Sequence, residues 1–431
     1  MQDMWPYVVL LAAIFSVYFW RGQHKESKAL AIRDAAREAG LTEPSSLHPV
    51  IDPAKCLGCA TCASACPEGN VIGIIGGKAE LVEPTHCIGH GACKTACPTQ
   101  AINLVFGTAE RGVDLPRVGP DFQTNVPGLF IAGELGGMGL IRNAVEQGRQ
   151  AVENIRKLPQ QSAKFDFDLA IIGAGPAGFS AALAAKQSAI DYVVIEQDDL
   201  GGTVFKYPRG KVVMTQPAVL PIVGATNFRE VSKEKLLEFW RSVEADQKLN
   251  IRYRDRVESM SKTDGGFAVT SQSGVTRARA VLLAIGRRGT PRRLGVPGED
   301  QKKVVYQLID PEQFAGKHVV VVGGGDSALE AATSIADQPG TTVTLSYRSE
   351  AFGRAKSKNR EKVAAQTTSG RLNVMMKSQI QSIGTDDLEI KSDAGVQRLK
   401  NDAVIVCAGG ILPTEFLKSA GITMETKYGT A

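Results

Sequence analysis

The sequence predicts an α/β protein with two doubly wound parallel sheets, preceded by a small cysteine-rich α+β module and an apolar N-terminal helix. Three observations carry this. Strand-like apolar runs followed by glycine turns and helical patterns recur at residues 169–178, 281–286, 318–332 and 404–410 (LAIIGAGPAG, VLLAIG, HVVVVGGGDSALEAA, VIVCAGG). Strands this apolar, without alternation, belong to parallel sheets covered on both faces. Seven of the eight cysteines fall between Cys56 and Cys97, a crowding at metal-ligand spacing that points to a reducing compartment and a metal site. Met4 to Trp20 contains no charge.

The 431 residues carry 50 Lys+Arg against 45 Asp+Glu, with 43% hydrophobic and 6% aromatic residues. That excludes disorder, collagen and coiled-coil arrays, and allows two to four domains. A net charge of +5, with no basic run, gives no footprint for nucleic acid.

Taken in order, the uncharged run from Met4 to Trp20 spans roughly 25 Å as a helix. Trp5, Tyr7, Tyr18 and Trp20 sit at its two ends, and Arg21 and Lys25 follow it. This reads as an uncleaved, single-pass transmembrane anchor (1–22) in the inner membrane, bulk on the cytoplasmic side, because a cleaved signal would place its positive charge first. Residues 23–50 read as a polar helical linker whose helix ends at Gly40, with Pro44 beyond as a stop.

The module at 51–106 opens with CLGCATCASACP, which places Cys56, Cys59, Cys62 and Cys66 at C-x2-C-x2-C-x3-C-P spacing. Those turns converge three thiolates on one iron–sulfur cube and send the fourth to another. A zinc site lacks this run. CIGHGACKTACP repeats it with Cys87, His90, Cys93 and Cys97, histidine standing at the second ligand place. The pair of halves resembles the two-fold repeat of a bacterial dicluster ferredoxin. That resemblance assigns Cys56, Cys59, Cys62 and Cys97 to one 4Fe–4S cluster, and Cys87, His90, Cys93 and Cys66 to the other. Either His90 ligates its iron, raising the potential, or the second cluster has three protein ligands and a labile iron; ligation is favoured. His86 reads as an exposed neighbour, and Cys407 as a buried small hydrophobe.

Two glycine motifs follow. Gly173, Gly175, Pro176, Ala177 and Gly178 link a strand to a helix, and the next strand ends in Glu196, the acid expected at a ribose. Gly323, Gly325, Asp326, Ser327 and Ala328 repeat the arrangement, but there the second strand ends in Arg348, which suits a 2′-phosphate and favours NADPH over NADH. Arg354, Lys356 and Lys358 add charge nearby or form a solvated basic face.

Two Rossmann-like units joined by AIGRRGTPRRLGVPGED resemble the thioredoxin-reductase-like branch of the pyridine nucleotide-disulfide oxidoreductases. The resemblance implies FAD in the first unit (161–298), NAD(P)H in the second (299–403), a return to the FAD domain at 404–431, and a homodimer. It also implies that Gly202, Thr203, Ala284 and Gly286 complete the FAD site. Two departures stand out. No cysteine lies between Cys97 and Cys407, and Ala177 occupies the place where one branch carries a thiol, so disulfide exchange lacks its nucleophile. The segment TNVPGLFIAGELGGMGLIRNAVEQGRQAV, which closes the FAD domain in the family, stands at residues 124–152, ahead of the first glycine motif. A Gly-Thr-Ala string at 107–109 recurs at 429–431, the trace a permutation would leave. Residues 107–160 are therefore expected to fold back onto the FAD domain, with Gly133 and Glu134 near the ribityl chain, and Gly139 to Asn143, including Leu140 and Ile141, near the ring.

The function expected is an NAD(P)H-dependent FAD and iron–sulfur oxidoreductase without a catalytic side chain. It would exchange electrons with a membrane cytochrome, a quinone-linked complex or a ferredoxin. The alternatives are a disulfide or small-molecule reductase fed through the clusters, and a non-catalytic redox-sensing subunit.

Overall fold

The structure is a computed structural model that describes residues 5–44, 47–137, 139–159, 164–215, 218–226, 228, 230–287, 289–353 and 355–429. Met4, Arg354, Thr430 and Ala431, which enter the expectations above, lie outside them, as does the expected boundary after residue 160. The chain forms two compact units. One comprises Met1–Gly112, Ala351–Glu361 and Lys427–Ala431; the other comprises Val113–Glu350 and Lys362–Thr426.

In the first unit a single helix runs Trp5–Glu38. The expected anchor and linker are thus one element, which ends as Gly40 enters the left-handed region (φ +66°). The transmembrane expectation is corrected here: among the described residues no helix is long and apolar enough to cross a membrane. The apolar run stops at Trp20 and the helix continues as a charged one. From Trp5 and from Tyr7 through Trp20 every described side chain is exposed. The second half packs. Ala29 and Ala36 are buried, and a Cβ on Gly73 would come within 2.6 Å of the Ala29 methyl, so only glycine lets this hairpin lie against the helix.

That hairpin, Ile72–Ile75 with Lys78–Leu81, belongs to the cysteine module. A second antiparallel pair joins His48–Ile51 to Ile102–Val105, so the module's two ends are stitched together. His86 is half-buried rather than exposed, its Nδ1 lying 3.1 Å from a Glu83 carboxylate oxygen.

The second unit holds two parallel sheets. In the first, the order is Ile251–Arg252, Tyr192–Ile195, Phe167–Ile172 and Gly274–Leu283, extended by the antiparallel strands Gly266–Ser271 and Val257–Thr263. The strand Leu129–Ile131 adds in parallel to residues 281–283 of the long strand, just beyond the stretch that pairs with Gly266–Ser271. In the second sheet the order is Val304–Val305, Ala403–Val406, His318–Val322, Thr342–Ser346 and Leu372–Met375, all parallel. Helices Ile141–Ile155 and Pro176–Gln187 pack together on the first sheet, and Phe130, Leu169, Ile171, Phe179, Leu183 and Leu282 are fully buried in one core there. Each such side chain contributes about 1.5–3 kcal/mol by leaving water.

Candidate functional site

The cysteine module builds its ligand loops from short helices. Thr61–Ser64 follows Ala60 and Ala92–Ala96 follows Gly91, both of which are left-handed, so each helical turn starts abruptly after a ligand loop. Cys56, Cys59, Cys62 and Cys97 line one cavity, closed by Ile51, Ala79 and Ile102. Backbone N–H groups already point at the sulfurs: Gly58 and Ala79 donate to the Cys56 Sγ, each at 3.4 Å, and Ala101 donates to the Cys97 Sγ at 3.3 Å. Cys66, Cys87 and Cys93 are near enough that each thiolate disfavours the next; burial is the larger effect and pushes Cys87 up to about 11. By contrast, the Thr61 hydroxyl holds the Cys59 thiol below its ordinary value. Among the described residues no three His, Cys, Asp or Glu side chains are placed to hold one metal ion. Thiols spread around a cavity wall suit a cube of separated irons and not a tetrahedral zinc. The His90 Nδ1 accepts the Ala92 N–H at 3.2 Å, which orients its ring within the second ligand loop.

The first glycine motif sits at the carboxyl end of its sheet, where such sheets bind ligands. Gly173 (φ +103°) and Gly178 are required by space: a Cβ on Gly178 would stand 1.8 Å from the Gly173 carbonyl oxygen. Gly175 and Pro176 open the helix Pro176–Gln187. Gly202 lies against Gly175, with Thr203 beside it, and the Gly201 N–H donates to the Ala174 carbonyl. Ala284 closes the other side, its N–H donating to Ile172, and Gly286 (φ +67°) has open space around it. Glu196 is buried and accepts the Ala174 and Asp198 N–H groups at 2.6 and 2.8 Å, joining the acid to the glycine turn; burial raises its pKa.

Residues 129–155 join this same place. The Ala132 N–H donates to Leu283, a Cβ on Gly133 would touch the Ala177 methyl, and Glu134 heads the short helix Glu134–Gly136. Gly139 lies beside the Glu134 carboxylate, and Leu140 caps the helix Ile141–Ile155. Two residues went unnoticed in the sequence. The Gln147 Oε1 accepts the Gly133 N–H at 2.8 Å. Arg287, whose Nη2 donates to the Asp114 carbonyl at 3.1 Å, is pulled below its usual pKa by burial while Glu134 and Asp114 oppose the shift. Its only sequence signal was its place one residue after Gly286.

The second motif repeats the geometry. A Cβ on Gly323 would meet the Cys407 carbonyl at 2.4 Å, Gly325 caps the helix Asp326–Ala336, and Ala328 is fully buried against Gly323. Ser327 sits in that helix's first turn, and its carbonyl receives the Cys407 thiol at 3.8 Å. Cys407 is thus half-buried beside the motif, not sealed in a core. Arg348 is exposed at the end of Thr342–Ser346. The Tyr347 ring, also unforeseen, covers Gly324, where a Cβ would come within 2.3 Å of it. Lys356 and Lys358 are exposed in the segment Ala351–Glu361, which groups with the first unit instead of this sheet.

Residues 170–430 match the pyridine nucleotide-disulphide oxidoreductase family, and residues 48–98 match the 4Fe-4S dicluster domain. A ferredoxin–NADP reductase of Ignicoccus hospitalis is 33% identical over 267 residues, 60% of this chain and 83% of its own length. A bacilliredoxin reductase of Bacillus subtilis is 26% identical over 265 residues, 60% of this chain and 82% of its own. The bacillithiol disulfide reductase of Staphylococcus aureus shares the fold, with a TM-score of 0.54 at 24% identity over 60% of this chain and 80% of its own. The glycine cradles and the spread thiols fit what these matches imply: FAD and NAD(P)H on the two motifs and two 4Fe–4S clusters on the cysteine module. The chain belongs to the pyridine nucleotide-disulphide oxidoreductase family, as an NAD(P)H-dependent flavin oxidoreductase that carries its own 4Fe–4S dicluster module.

Proposed function

We propose that the protein exchanges electrons between NADPH and a separate electron carrier through its own flavin and clusters, much as a reductase and its ferredoxin would in one polypeptide. The observation that carries this is the strand Leu129–Ile131. The segment that follows the cysteine module in sequence is hydrogen-bonded into the sheet that bears Gly173 to Gly178, and it brings Glu134 to that motif. FAD, when bound, takes two electrons as a hydride and yields them singly, the regime in which 4Fe–4S clusters work.

The chain supplies positions and charges. Gly175, at the start of the helix Pro176–Gln187, would present its backbone N–H to the pyrophosphate while the Gly173 N–H is held by the Ile195 carbonyl, Glu196 would hold the ribose hydroxyls, and Glu134 would accept from the ribityl chain with Arg287 as its counter-charge. Arg348 favours the 2′-phosphate of NADPH. Cys56, Cys59, Cys62 and Cys97 hold one cluster, and Cys66, Cys87, Cys93 and His90 hold the other.

The exposed apolar half of the N-terminal helix supports attachment to the cytoplasmic face of a membrane. A carrier held there, a cytochrome or a quinone-linked complex, is preferred over a soluble ferredoxin. A homodimer belongs to this reading on the resemblance alone.

Anaerobic titration with NADPH, followed by absorbance and EPR, tests the proposal. Flavin bleaching accompanied by reduced-cluster signals is expected, and a three-iron signal would remove His90 from the ligand set. Bleaching with no cluster signal at any excess of NADPH would sink the proposal.

A further inference from the structure

We propose that the ligand loop Leu57–Ala60 and the apolar half of the N-terminal helix form one face that rests on an anionic phospholipid bilayer. The cluster held by Cys56, Cys59, Cys62 and Cys97 is then the one at the membrane. This rests on the membrane attachment read above and adds which cluster looks toward the lipid.

The contacts run in sequence from helix to loop. The Glu26 carboxylate accepts the Gly76 N–H at 2.6 Å, fixing the hairpin turn Gly76–Gly77 to the helix. The Gly77 carbonyl packs directly on Gly58, where a Cβ would stand 2.1 Å away. Lys78, next along the hairpin, donates to the Cys56 carbonyl at 2.7 Å, and Ala79 donates to its sulfur. Glu26 lies six residues past Trp20, about 9 Å along the helix. The loop therefore sits close to where the apolar run ends.

Two features fix the occupant. The first is shape: Leu57 is 73% exposed at the loop's tip, and Trp5, Tyr7, Tyr18 and Trp20 are each at least 66% exposed at the ends of an apolar run with no polar face. A helix facing water or a single groove would keep a polar stripe; this run is apolar all round, and because it is not long and apolar enough to cross a membrane it is matched by the lipid surface, with its aromatic rings at the headgroup level. The second is charge. Arg21, Lys25 and Lys28 follow the run on exposed positions; of the lysines flanking the loop, Lys55 pairs with Asp52 at 3.6 Å and Lys78 is held by the Cys56 carbonyl, so the three helix cations carry the attraction. Basic side chains beside an interfacial apolar segment attract anionic headgroups.

The test uses holoprotein and vesicles of equimolar phosphatidylglycerol and phosphatidylcholine doped with a gadolinium chelate on a lipid headgroup. Flotation reads attachment, and EPR relaxation reads which cluster lies near the headgroups, since dipolar relaxation falls steeply with distance. Cys59→Ser identifies the first cluster by altering its signal. The full chain is expected to float and a chain beginning at Gln23 to stay in solution, with the first cluster relaxing faster than the second. Leu57→Glu is expected to weaken vesicle binding about tenfold, whereas Val396→Glu, an exposed apolar position in the other unit, leaves it unchanged. Vesicle-bound protein whose clusters relax alike, or whose second cluster relaxes faster, overturns this inference and leaves attachment standing. Failure of the full chain to float on pure lipid overturns both, and flotation only with native membranes assigns the face to a membrane protein.

Discussion

Glu196 shows how one residue carries two duties. Its carboxylate is buried yet bonded to two backbone N–H groups, so it shapes the glycine turn in addition to the ribose contact proposed for it. Glu196→Gln keeps the size and removes the charge-assisted acceptors, and FAD binding, read by fluorescence titration of the FAD-free protein, is expected to weaken about 10- to 100-fold. The pH dependence has a definite sign. Burial raises the folded pKa above the ordinary value of 4.5, so the folded state holds its proton longer than the unfolded one. The stability Glu196 contributes is therefore complete below pH 4.5 and is lost as pH rises through the folded value. Urea midpoints of FAD-free wild type should fall relative to Glu196→Gln across that window; parallel curves would mean the carboxylate is not desolvated. Glu196 was readable from strand position alone. Gln147, Arg287 and Tyr347 were not, because each acts on backbone or charge brought beside it by another element.

Elements explain why the segment after the cysteine module is no linker. Leu129–Ile131 takes a place in the sheet that the long strand leaves open past residue 278, and the helix Ile141–Ile155 then crosses Pro176–Gln187 in close contact. Gly148 makes that crossing possible: a Cβ there would stand 2.1 Å from the Ala177 carbonyl oxygen, and backbone cannot yield as a side chain can. Gly148→Ala is expected to cost about 2–4 kcal/mol in denaturant unfolding and to loosen FAD, since Ala177 lies in its cradle. An unchanged midpoint would separate the two helices. The strand was legible in its apolar run and the helix in its spacing, but their partners were not. The opposite error occurred at the N-terminus, where composition divided Trp5–Glu38 into anchor and linker, although one hydrogen-bonded helix crosses the division and its second half is fixed by packing on Ile72–Ile75.

For the whole molecule, the proposed chemistry rests on cofactors, not on a thiol. Cys407 is the one cysteine outside the cluster module, and it stands half-buried against Ser327 with no second cysteine in its unit. Cys407→Ser is expected to leave NADPH-driven flavin reduction within about twofold of wild type, and both proteins should fail to reduce disulfides; loss of a disulfide-reducing activity in the variant would restore thiol chemistry to the mechanism. The sequence by itself determined the ligand spacing of the cysteine module, the two glycine turns and the acid and arginine that follow them, because each is a local pattern set by chain geometry over a few residues. Only the tertiary structure decided that Leu129–Ile131 completes the first sheet, that the apolar N-terminal run is half of one long helix, that Arg287 meets the Asp114 carbonyl and that the Tyr347 ring covers Gly324. Those outcomes depend on hydrogen bonds and close packing between residues far apart in the chain, and no spacing along the sequence encodes such partners.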